Sequence, residues 1–240
     1  MHLLWENYFS KTKGEKKHVS KLSPTNKFVH LTSDSMRTIK IKSIPHHGFF
    51  LRYRLATSDL DMIPVSLRNF LWSIFDFIPL YLFDHPDNPG CSGMRIHLDV
   101  DTEKISNHPI CVLAKRSKEH IKFKSRHENL QQWFLLNDSK SVVAELPVWA
   151  DRKELAGMSL KFGFPLTGHI DLVRYNEELI EIWDYKPRAS KEKWAHVQTW
   201  LYAIVLSIRT GITLNQIMCG WFDEEDAFVF RLSNSGVKLH

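Results

Sequence analysis

The sequence predicts an α/β fold, a central mixed β-sheet flanked by helices, on three observations. Across residues 142–232 the apolar and polar positions run in the order strand, strand, strand, helix, strand, which calls for a mixed sheet with helical cover. Composition supports a packed core: of 240 residues, 43% are apolar and 25% charged, with 10 Gly and 10 Pro. That balance excludes a disordered chain, a collagen-like repeat and a low-complexity scaffold. The length suits one large domain or a domain with an appendage.

Taken in order, residues 1–47 mix Lys, Ser, Thr and His with few regular apolar periods, and read as a loosely structured, strand-poor, poorly assigned N-terminal region. From Val65 to Phe83, Leu67, Leu71, Ile74, Phe75 and Ile78 fall near helical spacing. Pro64 is placed to open that helix and Pro79 to end or kink it. The run Asp84-His85-Pro86-Asp87-Asn88-Pro89-Gly90 is a loop, and the expected boundary between an N-terminal region (1–90) and a second unit (91–240). Arg95 to Asp101 alternates and reads as a strand, residues 113–136 as one long helix, and Val142 to Val148 as a strand. Ile170–Tyr175 and Leu179–Lys186, separated by Asn176-Glu177-Glu178, form a hairpin. A helix runs from Ser190 to about Arg209, with Gly211 as its stop. Two last strands, Ile217–Phe222 and Ala227–Leu232, flank an acidic turn.

The formal net charge is +5, and it is uneven. Residues 1–47 hold nine Lys or Arg against three acids, whereas the rest of the chain holds 23 against 24. A second basic cluster spans 115–126; on a continuous helix Lys115, Lys118, Lys122 and Arg126 would share one face, a stripe able to track a phosphate backbone. The plain alternative is a solvated helix face. Cys91, Cys111 and Cys219 are odd in number and far apart, so a disulfide framework is not expected and a reducing, cytoplasmic setting is. The first residues lack a secretory pattern, and the most apolar stretch, 70–83, is too short to cross a membrane.

The chemistry-bearing residues lie late in the chain. In the second hairpin strand Asp184 and Lys186 share a face with Ile180 and Ile182, where charged groups need partners or a ligand. Asp171 comes across the hairpin, and two adjacent carboxylates repel unless a divalent cation holds both ionised; such ligands suit Mg²⁺ or Mn²⁺. An isolated Asp-x-Lys is equally well a structural ion pair. On the following helix Gln198 and Tyr202, four apart, project from one face. His97-x-Asp99-x-Asp101 offers three further ligand types on one strand face, more simply read as the polar side of a strand. Trp183, Trp194 and Trp200 are aromatic candidates for base stacking; Trp194 fits the helix's apolar stripe and Trp200 lies off it, which makes Trp200 the preferred platform.

Gly168-x-Ile170-Asp171, then Asp184-x-Lys186, then Gln198-x-x-x-Tyr202 resembles the PD-(D/E)XK nuclease superfamily, and the Gln-x-x-x-Tyr helix resembles its RecB-type branch. The resemblance covers residues 140–232 and implies a restriction-endonuclease-like core. It further implies that Asp171 and Asp184 ligate Mg²⁺ or Mn²⁺ with the carbonyl of Tyr185, that Lys186 positions the attacking water, and that Gln198 and Tyr202 steady the site and contact nucleic acid. Glu145 matches an upstream acid of the branch; it also reads as an edge-facing charge. For the His or Glu usually found on an earlier helix, His120 ranks first, ahead of His127, Glu119 and Glu128. Three cysteines are too few for the family's iron–sulfur version, so no cluster is expected. The expected activity is that of a metal-dependent DNA nuclease processing ends or single strands in replication, recombination or repair. Its rival is an inactive nucleic-acid-binding or assembly subunit on the same fold. A homo-oligomer or a partner protein would use residues 1–110.

Overall fold

The computed structural model describes residues 28–29, 37–46, 49–85, 87–157 and 162–232. Most of the basic N-terminal run therefore lies outside the described residues. In chain order the elements are β1 (Phe28–Val29), β2 (Ile39–His46), β3 (Phe49–Ala56), α1 (Val65–Asp76), α2 (Leu80–Phe83), α3 (Gly90–Gly93), β4 (Glu103–Ser106), α4 (Pro109–Arg116), α5 (Arg126–Asn137), β5 (Ser141–Ala150), α6 (Arg152–Gly157), β6 (Leu166–Asn176), β7 (Leu179–Tyr185), α7 (Ala195–Thr210), β8 (Ile217–Phe222) and β9 (Asp226–Arg231).

The strands form one sheet in the order β1-β2-β3-β5-β6-β7-β8-β9-β4. Every neighbouring pair is antiparallel except β7 and β8, which α7 joins by a parallel crossover. The mixed sheet with helical cover is thus the predicted α/β class. β6 and β7 are tied by a two-residue antiparallel turn, whereas a parallel return needs a crossover long enough to hold a helix. That helix ends as the sequence predicts, with Gly211 at φ 71°.

Helices cover both faces. On one, α7 with α1 and the short α2 and α3 packs on Leu146, Val148, Ile170, Ile180 and Ile182. On the other, α4 and α5 pack through Ile110, Ala114, Leu130 and Phe134 on Leu172, Trp183 and Phe222.

Several expectations change. Residues 39–46, within the stretch read as strand-poor, form with residues 49–56 a hairpin that joins the central sheet at Arg54↔Ala144 and Leu55↔Val143, and Leu55 shares one core with Leu146 across the 84–90 loop. That loop is pinned to the sheet, where Asn88 Nδ2 donates to Thr167 Oγ1 at 2.6 Å. Residues 95–101 are not a strand; a single bridge at Leu98 is their only ladder contact, so His97, Asp99 and Asp101 do not line one strand face. The long helix 113–136 is two helices. Pro109 at the first turn of α4, with His108 accepting from the Ile110 N–H, starts one. Ser125, accepting from the Glu128 N–H, starts the other. Between them Asn129 ties down the loop, accepting from Lys122 N and Phe123 N and donating to Phe123 O and Ser125 O.

Candidate active site

The site lies where β6 and β7 part. Their pairing stops at Leu172↔Trp183; beyond it the earlier half of β6 stays with β5, and β7 stays with β8 as far as Tyr185↔Phe222. In the fork, the backbone N–H of Tyr185 donates to Asp171 Oδ2 at 2.8 Å. The pairs Ala144↔Leu172 and Leu146↔Ile170 place Glu145 across from Asp171. Both strands are irregular there. Val143 and Leu146 join the same core layer although strict alternation would separate them, and Ile170 with Val173 repeats the pattern. Glu145 makes the switch with φ 53°, a left-handed conformation that costs a non-glycine residue about 1–2 kcal/mol. β5 is buried along its length, so the reading of Glu145 as an edge-facing charge is corrected.

Three side chains converge. His127 Nε2, from the first turn of α5, lies 2.8 Å from Asp171 Oδ2. One ligand atom each from His127, Glu145 and Asp171 falls within 4.8 Å of the others. Among the described residues this is the cluster able to hold a cation, and its mix of carboxylate oxygens and an imidazole fits a divalent ion such as Mn²⁺ or Mg²⁺. His127 therefore stands where the sequence placed His120. His120 sits at the end of the turn before α5, its ring held towards the neutral form by burial and by Lys122. Ser125-x-x-Glu128 is a capping-box pattern, and it would have put the start of α5, and hence His127, at this point.

A second group adjoins the first. Lys186 Nζ lies 2.7 Å from Asp184 Oδ2 and donates to Gln198 Oε1 at 3.1 Å. Gln198 Nε2 donates to Asp184 Oδ1 at 3.0 Å and to the Tyr202 hydroxyl at 2.9 Å. The structure thus brings Asp184, Lys186, Gln198 and Tyr202 together. Gly168 completes the join, because a Cβ there would fall 2.4 Å from Tyr202 Cε1, and only glycine lets β6 approach the ring so closely.

Sequence reasoning missed Gln131. It is fully buried, donates to Glu145 Oε1 at 2.7 Å, lies 3.2 Å from His127 Nε2 and accepts from Arg54 Nη1 at 3.3 Å. Arg54 is in turn held by Glu128 at 3.0 Å. Gln131 stands four residues after His127 on one helix face, the spacing that makes Gln198 and Tyr202 visible.

The electrostatics suit a cation. Burial, then the Asp171 charge, pushes Asp184 up to about 7 despite Lys186. Burial and Asp171 also raise Glu145 above the ordinary carboxylate range. Burial would lift Asp171 as well, but His127 and the Tyr185 N–H hold it low. Burial alone would lower His127, yet Asp171 and Glu145 bring it up to about 9. Lys186, disfavoured by burial but held by Asp184, stays an ammonium above its usual range. A cleft of about 350 Å³ opens onto His127, Glu145, Asp171 and Gln198, with Leu51 and Ser92 in its wall.

The remaining predicted residues stand apart. Lys115, Lys118 and Lys122 are exposed but are spread over α4, the turn after it and the loop, so they form no helical stripe. Arg126 is engaged by Ala114 O, Ser117 O and Glu224, and Lys118 approaches Glu224 at 3.8 Å. Trp200 is 3% exposed and belongs to the core, whereas Trp194, expected in the core, is 38% exposed. Trp200 lies in α7, which is buried almost all round, so an apolar stripe does not separate inside from outside, and Trp194 stands just before the helix begins.

No helix among the described residues is long and apolar enough to cross a membrane. Comparison with curated proteins and with solved structures gave no match. A family model described as the PD-(D/E)XK nuclease superfamily matches residues 105–224, half of the chain. That span carries His127, Glu145, Asp171, Asp184, Lys186, Gln198 and Tyr202 together with the strands and helices that hold them, and by it the chain belongs to the PD-(D/E)XK nuclease superfamily.

Proposed function

We propose that the chain is a metal-dependent DNA nuclease of RecB type, hydrolysing phosphodiester bonds at DNA ends or in single strands during replication, recombination or repair. The observation that carries this reading is the His127–Glu145–Asp171 cluster at one edge of the fork, with Asp184, Lys186, Gln198 and Tyr202 at the other. Asp171, Glu145 and His127, joined by Asp184 and the Tyr185 carbonyl, are the proposed ligands, and an imidazole in the set favours Mn²⁺ over Mg²⁺. A bound divalent ion would offset the clustered carboxylates, polarise the phosphodiester and lower the pKa of a water.

Lys186 remains protonated, so its role is to orient the water and stabilise charge on the phosphate rather than to take a proton. Gln198 fixes the ammonium and the Asp184 carboxylate at once, and Tyr202 fixes Gln198. The products would be a 5′-phosphate and a 3′-hydroxyl. The exposed Lys115, Lys118 and Lys122 would contribute phosphate contacts that weaken with salt.

The test is cleavage of end-labelled single- and double-stranded DNA, linear and circular, with Mn²⁺, with Mg²⁺ and with EDTA. Metal-dependent loss of linear but not circular DNA, abolished in Asp184→Ala with DNA binding retained, is the expected result. Full-rate cleavage by Asp184→Ala would sink the assignment. Binding without cleavage under every metal would instead favour a subunit that holds DNA without cutting it.

A further inference from the structure

An exposed indole, Trp194, stands one turn before Gln198, which lines the cleft. Trp194 stands directly before α7 as its N-cap, and its carbonyl accepts from the Gln198 N–H at 3.0 Å. Trp194, Gln198 and Tyr202 follow one another at intervals of four, so the backbone of Trp194 lies about one turn, roughly 6 Å along the axis, before the residue that grips Lys186 and Asp184.

Two local rules are broken here. A tryptophan at the N-cap offers no acceptor to the first-turn N–H groups, and none is supplied by its side chain. It also leaves a large apolar surface 38% exposed. Violations of this kind gather where a chain meets its ligand.

The surroundings have the character of a nucleic-acid contact. The Arg95 guanidinium lies 5.6 Å over the indole ring. It is fixed there by two backbone carbonyls, donating to Ser92 O and Met94 O at 2.8 Å each, and Ser92 lines the cleft. Arg188, Lys191 and Lys193 are exposed just before the indole, with Glu192 the one acid among residues 187–194. An aromatic face backed by a fixed cation, with exposed basic residues next to it in the chain, is the combination that holds single strands, by stacking bases and tracking phosphates.

We infer that Trp194, backed by Arg95, stacks an unpaired base next to the scissile phosphate, so that the site takes single-stranded DNA or frayed ends in preference to intact duplex. The inference rests on the nuclease reading above and deepens it by naming the substrate class. In an intact duplex the bases are already stacked and paired, and the indole has no base face to meet.

The test measures binding by the full chain in EDTA, where cleavage is blocked. The probes are a single-stranded oligonucleotide carrying 2-aminopurine and a blunt duplex of the same sequence. Trp194→Ala should weaken single-strand binding roughly five- to a hundredfold, the range that stacking of one base supports. It should also abolish the 2-aminopurine quench and leave duplex binding within about twofold. Trp194→Phe should keep most of the affinity. Without any change to the protein, an abasic residue at the stacked position should cost the wild type as much as Trp194→Ala does, and cost the variant nothing more. Equal loss for strand and duplex, or no loss at all while the wild type binds DNA, would overturn the stacking site and leave the nuclease reading standing. A wild-type chain that binds no DNA would remove both.

Discussion

Two clusters of buried carboxylates lie at opposite ends of the β6–β7 hairpin, and they are built on different terms. At the turn end, Arg174 reaches Asp138 at 2.8 Å and Glu181 at 2.6 Å. Ser141 donates to Asp138; Asn176 and the Trp183 indole N–H donate to Glu181. Although burial alone would raise Asp138, Arg174 and Ser141 hold it below the ordinary range. At the open end, Glu145 and Asp184 are pushed up instead, because burial and the Asp171 charge outweigh His127 and Lys186. One cluster is closed by the protein's own donors; the other carries a charge imbalance that a ligand can relieve.

The sharpest way to break the contrast is at the closed cluster. Arg174→Met leaves two carboxylates buried without their cation, and should destabilise the chain by about 3–5 kcal/mol in chemical denaturation. A loss below ~1 kcal/mol would show that the cluster is not holding the hairpin.

The open cluster should respond to pH. Asp184 titrates near 7 in the fold and near 3.9 when unfolded, so its contribution is fully present below the lower value and is lost as pH rises through the upper one. Metal-free stability should therefore fall by about 2–3 kcal/mol between pH 5 and pH 7. Asp184→Asn should flatten that slope, and so should saturating Mn²⁺. His127, raised to about 9, extends the decline towards that pH. Melting curves across this range, with and without metal, read both groups; an unchanged slope in Asp184→Asn would contradict the assignment.

Gln131 joins Glu145 to Arg54 and flanks His127. Gln131→Leu should weaken Mn²⁺ binding about 10- to 100-fold by calorimetry, the usual cost of removing a group that orients a ligand. Its effect on melting of the metal-free chain should be smaller than that of Arg174→Met.

The smallest effect belongs to the turn that joins the two strands. Glu177 and Glu178 occupy left-handed backbone at φ 49° and 69°, the geometry of a two-residue hairpin that favours Asn-Gly. The double change Glu177→Asn, Glu178→Gly should stabilise by about 1 kcal/mol with metal affinity unaltered. A metal-affinity change would mean that the two ends of the hairpin are coupled.

The hairpin and its return were legible because they obey local rules. Period-two alternation fixed Ile180, Ile182 and Asp184 on one face, and a helical period of four set Gln198 above Tyr202. Spacing put each set on one face, and the family resemblance implied that the two faces meet at Lys186. His127 was not, because its position depends on Asn129 and Ser125 breaking what looked like one helix, and the basic run across the break disguised it. The strand at 39–46 was obscured by its alternation of Lys with apolar residues inside a basic stretch. Trp194 and Trp200 were exchanged because α7 has almost no polar face to orient it.

The fork draws on residues scattered through the chain: His127 from α5, Glu145 from β5, Asp171 from β6, Asp184 and Lys186 from β7 and its end, and Gln198 from α7. No single hairpin or helix holds enough of them to capture a cation. Assembly of the centre therefore waits on the pairing of β5 with β6, on the parallel pairing of β7 with β8 and on the docking of α7, contacts of the slow-forming kind. A chain still folding has no competent centre, and uptake of Mn²⁺ during refolding would time the last step of folding rather than the first.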